Sequence, residues 1–329
     1  MATSNAAVTT GLPKAPRERW RLLGGTRGVD FIAWLVTLIA ALSVLVITVW
    51  LVIELWERSK LPRHAFGLRF FLDSVWDPVF GHFGALPFVY GTLVTSALAV
   101  LIAVPLGVGA AIFLAELAPR GLSDTLTFLI ELLAAVPSVV LGLVGIFVVV
   151  PWVRTSFGPV LKDLFGFIPL FQGPIYGVGF LTAGLVLAIM VLPFIVSISR
   201  EVLLSVPTDL REGALALGST HWESTWRVVV PTARTGILGA IFLGLARALG
   251  ETMAVSMVIG GTPQVAASLF APGYSIAAVI ADQFSEATGD LFRQSLVELG
   301  LVLFGVTIVL HAVARLLVTA TARKARSAA

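Results

Sequence analysis

The sequence predicts an all-α polytopic membrane protein with six transmembrane helices. Three observations carry the prediction. Of its 329 residues, 57% are hydrophobic and only 12% charged, with a mean hydropathy of +0.97, which is more apolar surface than a soluble domain can hide. Six runs are apolar for long enough to cross a bilayer, at about 31–55, 88–115, 125–153, 175–199, 235–258 and 296–318. With the N-terminus inside, 14 of the 22 Lys and Arg fall on inner segments: five in the N-terminal tail, Arg120, four around residues 200–234, and four from Arg315 onward. Seven fall outside and Arg247 lies within a span, so the chain follows the positive-inside rule.

The formal charge of +3 and pI near 9.6 do not indicate nucleic acid, because the basic residues are scattered between apolar runs and form no patch. There is no cysteine, which excludes disulfides, thiolate catalysis and Cys-ligated metals. His64, His82, His221 and His311 are far apart and show no H-E-x-x-H spacing, so no metal site is expected.

Residues 1–30, with Lys14, Arg17, Arg19, Arg21 and Arg27, read as a cytoplasmic tail. The first run, about 25 residues, makes roughly 37 Å of helix against a hydrocarbon core of roughly 30 Å, too long for a signal-peptide core and better read as an uncleaved span. Trp56 to Pro87 is a polar, aromatic outer segment. The second span contains Pro105-Leu106-Gly107, where the missing N–H predicts a kink, and many small residues, among them Gly91, Thr92, Thr95 and Ser96, that allow close helix approach. A short inner turn, 116–124, leads to the third span; an outer loop, 154–174, leads to the fourth. Val265 to Ala281 is charge-free but split by Pro272-Gly273, and reads as an outer re-entrant or surface segment. The sixth span precedes a cytoplasmic tail, 319–329, with Arg323, Lys324 and Arg326.

The longest polar interval between spans is 200–234. In it Asp209 and Glu212, and again Thr220 and Glu223, stand three apart, the spacing of reciprocal capping boxes. Two short helices follow, one from about Leu210 to a stop at Gly218, the other from about His221 to Val230, ending before Pro231. Trp222, Trp226 and Val230 share one helical face. Two readings fit that face: it docks into a partner's groove, or it lies on the membrane surface as an interfacial helix.

The fifth span includes GLARALGETMAVSMV, with Arg247 and Glu251 one helical turn apart. Each ionised residue near the bilayer centre costs at least roughly 2.5–3.5 kcal/mol, so the pair needs a reason. Either the two neutralise each other and fix packing, or they face a central pathway, where Arg offers an oxyanion a planar fork of donors and Glu holds or releases it. Glu131 and Ser138, flanking Pro137 in the third span, line the same path or serve only packing at the membrane interface. Met253 and Met257 read as gap-filling.

Glu212-Gly213-Ala214, then Gly218, then Val228-Val229-Val230-Pro231 resembles the EAA loop of ABC importer permeases, with pattern E-A-A, three residues, G, nine residues, I-x-L-P. Gly213 departs from the first Ala, and Val replaces Ile and Leu. The resemblance implies a type I importer permease fold in which the loop, here Glu212, Gly213, Ala214, Gly218, Trp222 and Pro231, couples to a separate ATPase. The runs FGALPFVYGTLVTSALAVLIAVPLG, ELLAAVPSVVLG, ALGETMAVSMVIGG and SLFAPGYSIAAVIA are similar to the PstC-type permeases of phosphate ABC importers from about Trp76 onward. That implies a heterodimer with a PstA-like permease, two PstB-like ATPase subunits carrying ATP and Mg, a PstS-like phosphate-binding protein, and a bacterial inner-membrane location with both termini cytoplasmic. It also implies that Arg247 and Glu251 are the charged pair associated with phosphate passage.

No G-x-x-x-x-G-K-[ST] and no Gly-Lys pair occurs, so ATP is expected on a partner and no cofactor on this chain. A proton-coupled anion carrier using Glu251 or Glu131 leaves the two-helix loop unexplained, and a permease for another oxyanion fits the same spans. An intramembrane enzyme fits least, since neither Cys, H-E-x-x-H nor a Ser/His nucleophile arrangement is present.

Overall fold

A computed structural model describes residues 26–326 of the chain, their side chains over 28–316. The tail expected over 1–30 therefore lies outside the described residues as far as residue 25, as do residues 327–329. The chain forms two compact units, the first ending at Glu54 and the second beginning at Leu55. The described residues of the first belong to one helix, α1 (Thr26–Glu57), whose last three residues fall in the second. Its run from Phe31 to Ile53 has no charge, and its hydroxyls are satisfied internally: Thr37 donates to Ala33 O at 2.9 Å and Thr48 to Val44 O at 2.8 Å, which suits a helix in hydrocarbon.

The second unit opens with α2 (Lys60–Phe66) and α3 (Arg69–Leu72). A two-residue hairpin follows, β1 (Trp76–Asp77) pairing antiparallel with β2 (His82–Phe83). Trp76 anchors it, edge-on to Phe83 and Phe88 at 4.9 and 4.8 Å and donating from Nε1 to Gln283 at 2.9 Å. Next come α4 (Leu86–Ile112), which runs on into a π turn at Phe113–Leu117, and α5 (Arg120–Ala134). A rod from Ser138 to Phe165 comprises α6 (Ser138–Val144), α7 (Val150–Trp152) and α8 (Gly158–Phe165), joined by π turns. Then follow α9 (Phe180–Leu204), α10 (Thr208–Ala216), α11 (His221–Ser224), α12 (Val230–Gly250), α13 (Met253–Ile259), α14 (Ile276–Gln283) and α15 (Asp290–Arg326). Among the described residues six helices are long and apolar enough to cross a membrane.

The unit is built around α9, which carries the fully buried Phe180, Leu187, Ile195 and Leu203 and packs against α4 and α12. Small residues set the spacing. A Cβ on Gly107 would meet Ile195 Cγ2 at 2.9 Å, and one on Gly184 would meet Leu98 Cδ2 at 2.5 Å. Gly91 is tighter still, its Cβ position 2.0 Å from Tyr274 O. Beside it Thr92 Oγ1 donates to Phe88 O and accepts from Ile276 N at 2.9 Å. Gly91→Ala forces α4 away from backbone rather than from a yielding side chain, so we expect a loss of roughly 1–3 kcal/mol, visible as an earlier thermal unfolding midpoint in detergent; an unchanged midpoint would mean α4 shifts freely.

The boundaries differ from the sequence expectation in four places. The third span expected over 125–153 is split, with α5 ending at Ala134 and the crossing rod starting at Ser138. Pro137 terminates one helix and opens the next, because its preceding residue is barred from helical geometry. The fifth span expected over 235–258 is also broken, between Gly250 and Met253. Pro231 is no stop: α11 continues into α12 as one apolar helix, His221–Gly250. The π turn at Thr225–Val229 widens the spiral so that Val230 N bonds Thr225 O, placing the extra residue where the proline ring would crowd the preceding turn. Asp209 forms no capping box: Pro207 holds the cap position of α10, and Asp209 sits in its first turn.

The segment 265–281 is not a span. Leu269, Phe270, Tyr274 and Ile276 are buried, and its carbonyls cap α9, Ala271 O accepting from Phe180 N at 3.2 Å and Leu269 O from Leu181 N at 2.8 Å. Those are two of the free N–H groups that every helix start must place.

Candidate functional site

Two sites answer to the sequence expectation. The first lies where α12 breaks. Arg247 sits in the last turn of α12, where a cation is favoured by the carbonyl end of the helix. Its guanidinium carbon lies 4.2 Å from the centre of the Phe194 ring of α9, and its Nε is buried without a hydrogen-bond partner. The expected ion pair with Glu251 is not formed. Pairing four residues apart needs both residues in one helix, and Glu251 has already left it, with extended backbone at φ −70° and ψ 130°. Among the described residues Arg247 makes no ion pair, so its fork of donors remains available.

The break itself is informative. It comes where the candidate span His221–Gly250 ends, and interrupted helices form substrate sites in many transporters. Beyond the break, α13 packs on α6 so closely that a Cβ on Gly142 would meet Met257 Sδ at 2.5 Å. Ser138 opens α6 and is half-buried. The fold thus brings the element carrying Ser138 against the helix that follows Arg247. Glu131 is on the far side of the Pro137 turn, exposed in α5. Met257 fills the gap beside Gly142, while Met253 is 50% exposed.

A polar cluster that sequence reading missed adjoins α13. Ser256 Oγ donates to Asp282 at 2.7 Å and Tyr274 Oη donates to the same carboxylate at 2.8 Å. Burial, reinforced by that hydrogen bond, pushes the Tyr274 phenol above its ordinary range, so it stays a neutral donor. The only available signal was Asp282 itself, the first charge after the charge-free 265–281 run. Phe194, the cation–π partner of Arg247, carried no sequence signal at all.

The second site is the loop between α9 and α12. Its reversal depends on Gly218, whose φ of +88° lies in the left-handed region that residues with a Cβ rarely enter. Ser219 N then bonds Ala214 O at 3.2 Å. The Thr220 box forms: Glu223 N donates to Thr220 Oγ1 at 3.2 Å, and Thr220 N donates to Glu223 at 3.0 Å. Glu212 and Gly213 are exposed on α10 and Ala214 is half-buried. A Cβ on Gly213 meets nothing within 4 Å. Leu217, 91% exposed at the end of α10, adds an apolar side chain to that surface.

The Trp face lies elsewhere. Trp222 and Trp226 stack edge-on at 5.6 Å and wall an apolar groove of about 480 Å3 together with Pro105 of α4, Phe113 and Leu117 of the π turn after it, and Ile237 of α12. Val230 instead packs against the buried cluster around Val229 and Ala233, because the π turn rotates it off the Trp face.

The family described as "Binding-protein-dependent transport system inner membrane component" matches residues 103–327. The chain is 46% identical over 314 residues to a protein of Mesorhizobium japonicum named phosphate transport system permease protein PstC, covering 94% of this chain and 96% of the relative. It is 47% identical over 277 residues to the Haemophilus influenzae protein of the same name, covering 83% and 86%. Among solved structures, a chain of the bacterial alginate ABC transporter, in complex with an alginate pentasaccharide-bound periplasmic protein, aligns with a TM-score of 0.55 at 15% identity over 89% of this chain and 96% of that one. A chain of the inward-facing MetNI methionine ABC transporter aligns with a TM-score of 0.52 at 16% identity over 75% and 99%. At such identities the two structures speak to the fold, which is that of an ABC importer permease.

Proposed function

We propose a specific place for this chain within the family to which it belongs, the binding-protein-dependent transport system inner membrane components: it is the permease subunit of an ATP-driven phosphate importer. The observation that carries this reading is the near-full-length identity to proteins named as phosphate permeases, joined to an arginine with unpaired donors at a broken membrane helix. An anion leaving water must find replacement donors, and a guanidinium fork supplies two parallel ones.

In this mechanism a binding protein delivers phosphate to one mouth of a pathway shared by this chain and a homologous, PstA-like permease. Phosphate is drawn to Arg247, with Ser138 contributing a hydroxyl and Glu251 free to take the arginine back once the anion has left. Two PstB-like ATPase subunits hold ATP and Mg and engage the loop surface around Glu212, Gly213, Ala214 and Gly218; this chain holds no cofactor. A PstS-like protein is the donor. The chain sits in the bacterial inner membrane with both termini on the ATPase side.

The test is phosphate uptake into proteoliposomes containing this chain, its partner permease, the ATPase and the binding protein. Uptake is expected only with ATP on the ATPase side and binding protein on the other. Uptake driven by an imposed proton gradient, indifferent to ATP, would overturn the reading and turn attention to Glu251 and Glu131 as proton carriers.

A further inference from the structure

The loop helix α10 has no buried side chain. It packs, without fully burying a side chain, against α11 and the π turn Thr225–Val229 that follow it in the chain. One side chain ties it to α4 and α9. Arg211 of α10 donates from Nη2 to Glu116 Oε1 at 2.8 Å and from Nε to Glu116 Oε2 at 3.2 Å, a two-pronged contact. Its Nη2 also donates to Leu203 O at 2.7 Å and its Nη1 to Val206 O. All three guanidinium nitrogens are used.

The partners lie on different elements. Glu116 belongs to the π turn that ends α4, and Leu203 O is a carbonyl of the last turn of α9 that also accepts from Val206 N at 3.2 Å. The same π turn is fastened to the next helix, Ser123 Oγ of α5 donating to Leu114 O at 2.8 Å. The Arg211 and Glu116 side chains are only 20% and 10% exposed, so water competes little for the contact. By contrast, the neighbouring pair Arg200–Glu201 has its carboxylate 73% exposed, the setting in which ion pairs contribute least. A planar, two-pronged arginine contact resists both rotation and sliding, which makes it a stiff connector.

We propose that Arg211 and Glu116 are positioning residues for transport, forming the rigid link through which movement of α10 reaches α4 and α9. The link rests on the ATP-driven reading above. Without it, α10 moves on the ATPase while the spans stay behind, and ATP is hydrolysed without phosphate crossing.

The experiment compares the complete four-component complex carrying native chain, Arg211→Gln, Glu116→Gln, the double substitution, or Arg211→Lys. In each, the amount of ATPase bound, ATP hydrolysed and phosphate taken up are measured on the same proteoliposomes. The expected result is a fall of at least fivefold in phosphate moved per ATP hydrolysed for Arg211→Gln with ATPase still bound. Glu116→Gln should behave alike, and the double substitution should be no worse than the worse single. Arg211→Lys, which keeps the charge but not the fork, should assemble normally and lie between, and it carries the test if the glutamine variants fail to assemble. Uptake and hydrolysis that fall together, leaving the ratio at the native value, would show a merely structural contact and overturn the proposal. If the native complex itself shows no ATP-dependent uptake, the functional reading fails and takes the link with it; a coupled native complex with a native ratio in Arg211→Lys and Arg211→Gln sinks the link alone.

Discussion

Phosphate uptake is expected to fall by roughly 10- to 100-fold in Arg247→Gln, on the basis of about 1.5–3 kcal/mol for each hydrogen bond to a charged group. The chain should still fold and assemble. Arg247 has no ion-pair partner among the described residues to leave stranded, and its Nε already lacks a hydrogen bond. Its guanidinium lies over the Phe194 ring, which Gln covers in part. Removing a charge from a membrane span also lightens the cost of inserting it. Arg247→Lys should be intermediate, since an ammonium retains attraction for an anion and loses the planar fork. Near-native uptake in Arg247→Gln, with normal amounts of assembled complex, would remove Arg247 from the pathway. Glu251→Gln separates the remaining question: if the carboxylate takes the arginine back after release, its loss should slow turnover more than it weakens binding.

A bulky residue at Gly213 is expected to detach the ATPase or abolish coupling while leaving the isolated chain as stable as before. The reason is local. Gly213 is exposed in α10 and its Cβ position faces open space, so the side chain of Gly213→Trp starts away from the chain and stands on the surface a docked partner would cover. Gly213→Ala should be neutral to stabilising for the helix, by up to about 1 kcal/mol, and should keep coupling. Glu212→Lys reverses a charge on the same surface and should act like Gly213→Trp. Co-purification of the ATPase with each variant, together with uptake, reads the outcome. Full retention of the ATPase and of uptake in Gly213→Trp would place the docking surface elsewhere, and the tryptophan groove beside α4 would become the next candidate.

Several features were legible without coordinates because they depend on short-range chemistry. Gly218 and the Thr220–Glu223 box were readable because a left-handed turn and a capping pair are decided within four residues. The segment 265–281 was readable as no span because Pro272-Gly273 interrupts it. Asp209 has the same spacing to a glutamate as Thr220, yet Pro207 takes the cap position of its helix, which spacing alone does not reveal. Pro231 was misjudged because a π turn, which has no composition signature, let the helix pass through a proline. The exposure of Trp222 and Trp226 is legible from the polar loop around them, but their direction depends on that same π turn.

What the sequence alone determined is the class of molecule: apolar runs of bilayer length, an arginine four residues from a glutamate in one of them, and a loop of recognisable spacing. Each of these is a property of composition or of neighbours along the chain. Only the tertiary structure decided that Arg247 and Glu251 part company at a helix break, that Phe194 faces the guanidinium, that Asp282 gathers Ser256 and Tyr274, and that Arg211 reaches Glu116 95 residues away. Helical spacing places residues on a face only while the helix lasts, and the pairing of distant side chains is set by how α4, α9 and α12 pack, which no local period encodes.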